Sequence, residues 1–371
     1  MSAKSSEHAS LMHGHEHADA QDVAQRSEDE HVIEALALEL PKAGELCAVD
    51  EDIFWLRMPL PFDLDHINLY LIKDGDGYAA IDTGIGTQTT EDIWAAIFDQ
   101  LGAKITRVIV THMHPDHIGM AGYLSEKFRA PLYMTMAEYY VARSMVAGGR
   151  GASDWQDREY LQRCGMPSQY IEKASQNKGG IQKVVKPIPL GFKRLTEGQI
   201  LSIGNHQWRV MIGRGHSPEH ACLYCESKQI LISGDHVLPN ISPNIGVYST
   251  EPDANALKLY LATLPQFKDL PIDTKVLPSH KLPFTGLHVR VDELIHHHHA
   301  HLARLRDFCQ TPRTVEACLG VLFKRKLNPH NMFFAIAEAL AHLNYLYFND
   351  ELARHINEDG AWIFTSKQVC P

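Results

Sequence analysis

The feature that most constrains this chain is a run of four potential metal ligands within six residues. His112, His114, Asp116 and His117 follow the β-branched segment KITRVIVT, which is typical of a buried strand. In extended backbone, residues two apart face the same side, and Pro115 stiffens the turn that brings the last two side chains round. The four side chains are therefore expected to point into one small volume.

Three more potential ligands each follow an apolar, strand-like segment farther along the chain. His216 follows WRVMIGRG, Asp235 follows KQILISG, and His280 follows TKVLPS. Borderline divalent ions such as zinc prefer imidazole and carboxylate ligands, and a pair of ions needs about this number of them. The sequence therefore predicts a centre for two divalent ions, with zinc expected and iron or manganese as alternatives.

The body of the chain is predicted to contain both strands and helices. Two β-rich segments flank the turn signal DGDG at 74–77, which predicts a hairpin. The segment 90–102 has apolar residues at helical spacing and ends on Gly102. Cys222 and Cys225 lie three apart on a predicted strand, so they are expected to face opposite sides and to be structural.

Three segments differ from this body in composition. Residues 1–40 are interpreted as a polar tail rich in histidine and acidic residues, ending in a helix over 30–40. Residues 139–186 are interpreted as an insertion that acts as a lid or a dimer contact. The later pattern is helical, and the run His296–His299, together with His301, lies in a predicted helix, where its members should spread round the axis rather than converge.

Composition limits the classes of function. The 371 residues include 45 Asp and Glu against 35 Lys and Arg, and the formal charge of −10 disfavours extended phosphate-backbone binding. The sequence predicts a cytoplasmic protein without a membrane partner. Its seven cysteines are scattered, no secretory signal is recognisable, and no apolar run is long enough to span a membrane. The expected partners are a small-molecule substrate and a second copy of the chain in a homodimer.

The order of the motifs resembles that of the metallo-β-lactamase superfamily. The segments IDTG (81–84), HMHPDH (112–117), GHSPEH (215–220), SGD (233–235) and SH (279–280) follow that superfamily's usual series. The resemblance implies an α+β fold, an αββα sandwich spanning 41–300, with the metal site at one edge of its two sheets. Residues 301–371 resemble the small helical, winged-helix domain that some members carry after the catalytic domain.

The resemblance also implies how the seven ligands divide between two ions. One ion would be bound by three histidines, and the other by an aspartate and two histidines, with one aspartate bridging both. The first ion would be bound by His112, His114 and His216, and the second by Asp116, His117 and His280. The bridging aspartate would be Asp235, which also acts in catalysis.

Further side chains receive expected roles, those of Asp116 and Asp82 from the chemistry of the centre and those of His220 and Tyr248 from the resemblance. Asp116 is expected to orient the attacking hydroxide, besides binding metal. Asp82 would hold a histidine ligand from behind, the alternative being a turn-forming role. His220 would lie behind the ligands or face the substrate, in either case without binding metal. Tyr248 and Asn244 could donate to a substrate oxygen, as tyrosines do in the lactonase branch, although an ordinary packed tyrosine is the alternative.

Hydrolysis by a metal-bridging hydroxide is the expected reaction, on a small-molecule ester, lactone or thioester such as an acyl-CoA. The aspartate of SGD resembles the glyoxalase II, lactonase and nuclease branches, whereas antibiotic-degrading members commonly carry cysteine there. One alternative is a metal-dependent endoribonuclease of single strands. Against it, residues 302–371 hold eight Lys and Arg against seven Asp and Glu, and the sequence lacks an obvious basic, aromatic-interleaved groove. The other alternative is a non-catalytic binding protein, which would normally have lost a ligand.

Overall fold

A computed structural model of the chain describes residues 32–62, 64–147, 154–176, 180–324 and 327–367. The strands are β1 (Glu34–Ala35), β2 (Cys47–Asp50), β3 (Ile53–Pro59), β4 (His66–Asp74), β5 (Gly77–Ile81), β6 (Lys104–Ile109), β7 (Leu132–Thr135), β8 (Lys193–Leu195), β9 (Ile200–Ile203), β10 (His206–Gly213), β11 (His220–Cys225), β12 (Ile230–Gly234), β13 (Lys275–Pro278), β14 (Phe284–Thr285), β15 (Leu352–Ile356) and β16 (Trp362–Ser366).

The helices are α1 (Gln88–Leu101), α2 (Pro115–Ile118), α3 (Ala121–Phe128), α4 (Met136–Ala147), α5 (Asp154–Arg163), α6 (Ser168–Gln176), α7 (Ala256–Thr263), α8 (Leu287–Phe308), α9 (Val315–Leu322) and α10 (Pro329–Phe348). None of the helices in the described residues is both long and apolar enough to cross a membrane.

The first sheet has seven strands in the order β2-β3-β4-β5-β6-β7-β8. Strands β4 and β5 form the predicted hairpin, since Asp74 pairs with Gly77 across a two-residue turn. Gly75 has a φ of +64° in that turn, a conformation that glycine adopts without steric cost. From β5 onwards the strands are parallel, so helices must cross between them.

Helix α1 is one of these crossings and confirms the helix predicted near 90–102. The Thr87 side chain accepts a hydrogen bond from the Thr90 backbone at its start, and Gly102 ends it with a φ of 58°. Its buried face carries Trp94, whose indole Nε1 donates to the Thr83 carbonyl at 2.8 Å. The helix therefore holds in place the loop that follows β5.

The second sheet also has seven strands, in the order β1-β14-β13-β12-β11-β10-β9. Strands β9 to β12 form an antiparallel meander, and β12 and β13 are parallel. Cys222 and Cys225 on β11 lie in two different apolar clusters, as their strand spacing predicts. Both are free thiols.

The helix predicted over 30–40 is wrong. Residues 34 and 35 form β1 and pair antiparallel with β14, and the Leu36 backbone N–H donates to the Pro283 carbonyl at 2.8 Å. Leu36 and Leu38 pack against the apolar cluster between the two sheets. The open edge of β14 offers hydrogen bonds that outweigh the helical preference of this segment. Residues 1–31 of the predicted tail lie outside the described residues.

The two sheets face each other across one apolar cluster, and helices cover their outer faces. The central cluster takes large buried side chains from both sheets, among them Trp55, Tyr70 and Ile109 from the first and Trp208, Leu223 and Ile232 from the second. Helices α1, α3 and α4 contribute to the cluster on the outer face of the first sheet, and α7 and α8 to that on the second. This is the predicted αββα arrangement.

The chain ends in the predicted helical domain. Helices α9 and α10 are followed by the β15–β16 hairpin, and α8 runs across the predicted boundary at 300/301. Within 139–186, the Tyr160 hydroxyl of α5 donates to the Val247 carbonyl, in the loop after β12, at 2.7 Å. The Cys164 carbonyl, just after α5, accepts from the Glu316 backbone of α9 at 3.0 Å. The glycine-rich part at 148–153 lies outside the described residues, and the lid remains a prediction.

Candidate metal centre

All seven predicted ligands lie just beyond the carboxyl ends of strands. His112 and His114 follow β6, and Asp116 and His117 lie in the one-turn helix α2 that Pro115 begins. The other three follow β10, β12 and β13, and they are His216, Asp235 and His280. Strand β6 belongs to the first sheet and the other strands to the second, so the candidate site lies where the edges of both sheets meet.

Four of these side chains form the first group. The His112 Nε2 atom lies 2.8 Å from Nδ1 of His114 and 3.3 Å from Nε2 of His216. The Asp235 Oδ2 atom lies 3.5 Å from Nε2 of His216. One ligand atom from each of the four lies within 4.8 Å of all the others, so the group can surround one ion.

The other three side chains form a second group beside it. The Asp116 Oδ2 atom lies 3.4 Å from Nε2 of His280 and 3.6 Å from Nε2 of His117. The second oxygen of Asp235, Oδ1, faces this group at 3.5 Å from His117 and 3.4 Å from His280. Asp235 thus turns one oxygen to each group, which is the geometry of a bridging carboxylate.

Unpartnered atoms show that these residues fit a pair of cations. The His117 Nε2 and Asp235 Oδ1 atoms are buried without a hydrogen-bond partner in the described part of the chain. Leaving such atoms unsatisfied costs about 1–3 kcal/mol each. Burial also lowers the pKa of His114 to about 3, which keeps this imidazole in the neutral form that binds metal. Divalent cations would satisfy both unpartnered atoms.

Backbone carbonyls orient two of the histidines. The His216 Nδ1 donates to the Asn244 carbonyl at 2.8 Å, and the His280 Nδ1 donates to the His66 carbonyl at 2.9 Å. Each bond fixes the tautomer in which Nε2 carries the lone pair, and Nε2 is the nitrogen that faces the candidate site. Neither carbonyl was foreseen, because a backbone acceptor has no sequence signal.

Asp82 lies directly behind the candidate centre. Its carboxylate accepts hydrogen bonds from the Thr111 backbone at 2.8 Å, from the Thr111 hydroxyl at 2.9 Å and from Nδ1 of His117 at 2.8 Å. Burial lowers the pKa of His117, but the carboxylates of Asp82, Asp116 and Asp235 outweigh it and raise that pKa well above its usual range. The structure thus brings Asp82 to the expected position behind His117.

His220 lies behind the predicted ligands and does not face a substrate. Its side chain is fully buried and its ring stacks on that of His112, with the centroids 4.7 Å apart. The His220 Nε2 atom accepts a hydrogen bond from the backbone N–H of Asp235 at 3.1 Å. His220 therefore positions Asp235. The expectation that His220 faces a substrate is wrong, because no surface of its ring is accessible.

Tyr248 and Asn244 contact each other instead of pointing freely into the site. The Tyr248 hydroxyl donates to Oδ1 of Asn244 at 2.9 Å, and its ring stacks on Phe333 with centroids 5.4 Å apart. The Asn244 amide donates to Oε2 of Glu338 at 3.0 Å. In this structure the Tyr248 hydroxyl donates its hydrogen to Asn244, and donation to a substrate remains a prediction.

Glu138 is a supporting residue that the sequence reasoning missed. Its fully buried carboxylate accepts a hydrogen bond from the Met113 backbone at 2.9 Å and another from the Glu219 backbone at 2.7 Å. It thereby ties the loop after β6 to the loop before β11. Burial raises the pKa of this carboxyl group. A single acid within the otherwise apolar segment MTMAEYYV was the available signal.

The expectation that the histidines of α8 do not converge is wrong for one pair. His297 and His301 lie one turn apart and therefore share a face of the helix. Together with Glu338 of α10, they place three ligand atoms within 4.8 Å of one another. The helical spacing was visible in the sequence, but the partner carboxylate on another helix was not.

Comparison with known families gives two matches. Residues 62–280 match the metallo-beta-lactamase superfamily, and residues 302–367 match a domain described as metallo-beta-lactamase-like, C-terminal. Among solved structures, a beta-lactamase domain protein from Burkholderia ambifaria is similar, with 39% sequence identity and a TM-score of 0.84. That similarity covers 90% of this chain and 98% of the other.

Two curated relatives are similar at lower identity. The probable metallo-hydrolase YqjP of Bacillus subtilis is 24% identical over 342 residues, which cover 86% of this chain and 99% of the relative. The acyl-coenzyme A thioesterase MBLAC2 of Gallus gallus is 27% identical over 237 residues, which cover 62% of this chain and 77% of the relative.

Proposed function

Because this chain belongs to the metallo-β-lactamase superfamily and is one of its metallo-hydrolases, we propose that it hydrolyses small-molecule acyl thioesters with two divalent ions, zinc in the first instance. The observation that carries the proposal is Asp235, whose two oxygens face separate groups of ligands. In this proposal one ion is bound by His112, His114 and His216 and the other by Asp116, His117 and His280, with Asp235 shared.

When bound, the two ions polarise the thioester carbonyl and lower the pKa of the attacking water. The protein's own side chains hold and orient the reactants. The Asp116 carboxylate is 19% exposed against 10% for Asp235, so it is the more accessible acid and is suited to accept a hydrogen bond from the attacking water. The His220 ring holds Asp235 by accepting a hydrogen bond from the Asp235 backbone N–H, and the Asp82 carboxylate holds His117 by accepting one from its Nδ1.

A thioester is favoured over an ester by the leaving group. In this proposal the carboxylates facing the centre, Asp116 and Asp235, are metal ligands and therefore ionised, so neither donates a proton to the departing atom. A thiol has a pKa of about 8.5, so a thiolate departs without such a donor, whereas an alkoxide needs one. The likeness to an acyl-coenzyme A thioesterase supports the same class.

The test is a side-by-side initial-rate measurement on a short acyl-CoA and on single-stranded RNA. Wild type is compared with His216→Ala and Asp235→Ala, after chelation and after reloading with zinc. We expect thioester turnover that disappears on chelation, returns with zinc and stays at background in both variants. Circular dichroism checks that the variants are folded.

Two outcomes would overturn the proposal. RNA cleavage with the same dependence on zinc and His216, without thioester turnover, would make the protein an endoribonuclease. Binding of two zinc ions without turnover of either substrate would instead favour a non-catalytic protein on this fold.

A further inference from the structure

A second group of metal-type ligands lies between helices α8 and α10. The rings of His297 and His301 have centroids 4.1 Å apart on one face of α8. Glu338 of α10 completes a group whose ligand atoms all lie within 4.8 Å of one another. Atoms that share one tetrahedral zinc ion, at about 2.0–2.2 Å each, lie about 3.4 Å apart, so the three side chains would rotate inward to close round an ion.

His301 carries an unsatisfied nitrogen at this place. The residue is only 6% exposed, and its Nδ1 atom is buried without a hydrogen-bond partner in the described part of the chain. Burial lowers the pKa of His301 to about 3, so the ring is neutral and offers a lone pair. A buried imidazole nitrogen without a partner is a costly arrangement that a bound cation would relieve.

The two neighbouring histidines are already satisfied. The His342 Nδ1 donates to the Glu338 backbone carbonyl at 2.8 Å, so its Nε2 is an acceptor for the Nδ1 of His298 at 3.1 Å. The remaining nitrogen of His298 lies 3.5 Å from the Ser242 hydroxyl. This chain of hydrogen bonds uses both nitrogens of His342 and Nδ1 of His298, and it involves none of the side chains of the other three residues.

We propose that His297, His301 and Glu338 bind a single divalent transition-metal ion, with zinc as the ion tested, at a site separate from the hydrolytic centre. Two imidazoles and one carboxylate are a ligand set that zinc uses, with water in the fourth position. Metal sites of this kind are built between facing helices from side chains that project inward. The ion would join α8 to α10.

The proposed site is connected to the hydrolytic centre through Asn244. The Asn244 side chain donates to Oε2 of Glu338 at 3.0 Å, and its backbone carbonyl accepts the hydrogen bond from Nδ1 of His216 at 2.8 Å. A cation on Glu338 would therefore order the loop that supports a predicted ligand of the other centre.

The test counts bound zinc in the full-length protein by elemental analysis after chelation, reloading and desalting. It uses an Asp235→Ala background, in which the hydrolytic centre is impaired, and adds His301→Ala or Glu338→Gln. The matched control is His299→Ala, because His299 is an exposed histidine of the same helix. All variants keep the histidines of residues 1–31, so any zinc bound there cancels in the comparison.

We expect His301→Ala and Glu338→Gln each to lose about one zinc ion and His299→Ala to lose none. The rise in thermal midpoint that zinc produces should shrink in the first two variants only. The glutamine of Glu338→Gln still accepts from Asn244, so this variant keeps the local hydrogen bond if His301→Ala fails to fold. Equal zinc content and equal thermal shifts in Glu338→Gln and His299→Ala would overturn the proposal, whatever the hydrolytic activity.

Discussion

Asp82 illustrates, at the scale of one residue, how the backbone prepares the candidate metal centre. Its φ of 59° lies in the left-handed region, which few residues other than glycine, asparagine and aspartate adopt. That conformation turns the carboxylate toward three donors at once, two on Thr111 and one on His117. The loop after β5 and the loop after β6 are thereby held together by one side chain.

The substitution Asp82→Asn should therefore weaken the centre without disturbing the backbone. Asparagine tolerates the same φ, but it loses the negative charge and one acceptor facing His117. We expect zinc affinity or kcat/KM to fall about 10–100-fold, the range for residues that support a ligand from behind. Zinc titration and initial rates measure this, with Asp76→Asn in the exposed β4–β5 turn as the control. Unchanged affinity and rate would show that Asp82 only shapes the turn.

At the scale of the element, the end of β12 is shaped by a close approach of two segments. Gly234 has a φ of +53°, and a Cβ atom on it would lie 2.4 Å from Cε1 of His220. The pairing of β12 with β13 also shifts register between Ile232 and Gly234. This irregular strand end directs Asp235 toward both ligand groups, with the His220 ring directly behind it.

Substitutions at two glycines separate the cost of the left-handed backbone from the cost of the steric clash with His220. Gly102→Ala should destabilise the protein by about 1–2 kcal/mol, since Gly102 has a φ of +58° and open space around it. Gly234→Ala should cost about 1–3 kcal/mol more, because its methyl group meets the His220 ring. Urea unfolding monitored by circular dichroism measures both. Equal losses of stability would mean that the His220 ring moves aside freely.

At the scale of the whole molecule, the C-terminal helices complete the core beneath the loop that carries Asn244. Ile245 and Val247 of this loop belong to the same apolar cluster as Ile336 and Leu340 of α10. The Val247 backbone also donates to the Ala337 carbonyl at 3.0 Å. The C-terminal helices and the second sheet therefore share one core instead of two separable ones.

Shared packing predicts that the two parts unfold together. Ile336→Ala removes a fully buried side chain and should lower the free energy of unfolding by about 2–5 kcal/mol in a single transition. Ile200→Ala, at a position that is 55% exposed, should change it by less than about 0.5 kcal/mol. Circular dichroism and residual activity followed through the same thermal scan report the transition. Activity that survives an earlier melting of the helices would contradict a shared core.

Features governed by short-range periodicity were predictable from the sequence. The hairpin at 74–77, helix α1 and the opposed faces of Cys222 and Cys225 each depend on residues within one turn or one strand. The convergence of His112, His114, Asp116 and His117 follows in the same way from a strand end and a proline. The order of the superfamily's motifs could be recognised because it is read along the chain, without knowledge of how the segments pack.

Features that join distant segments were decided by the tertiary structure. The His66 carbonyl that orients His280 is 214 residues away along the chain, and the Asn244 carbonyl that orients His216 is 28 residues away. The pairing of β1 with β14 and the approach of Glu338 to His297 and His301 depend equally on packing. Sequence periodicity fixes which face of an element is apolar, but it does not determine which other element covers that face. Backbone acceptors and cross-helix partners therefore appear only once the chain is folded.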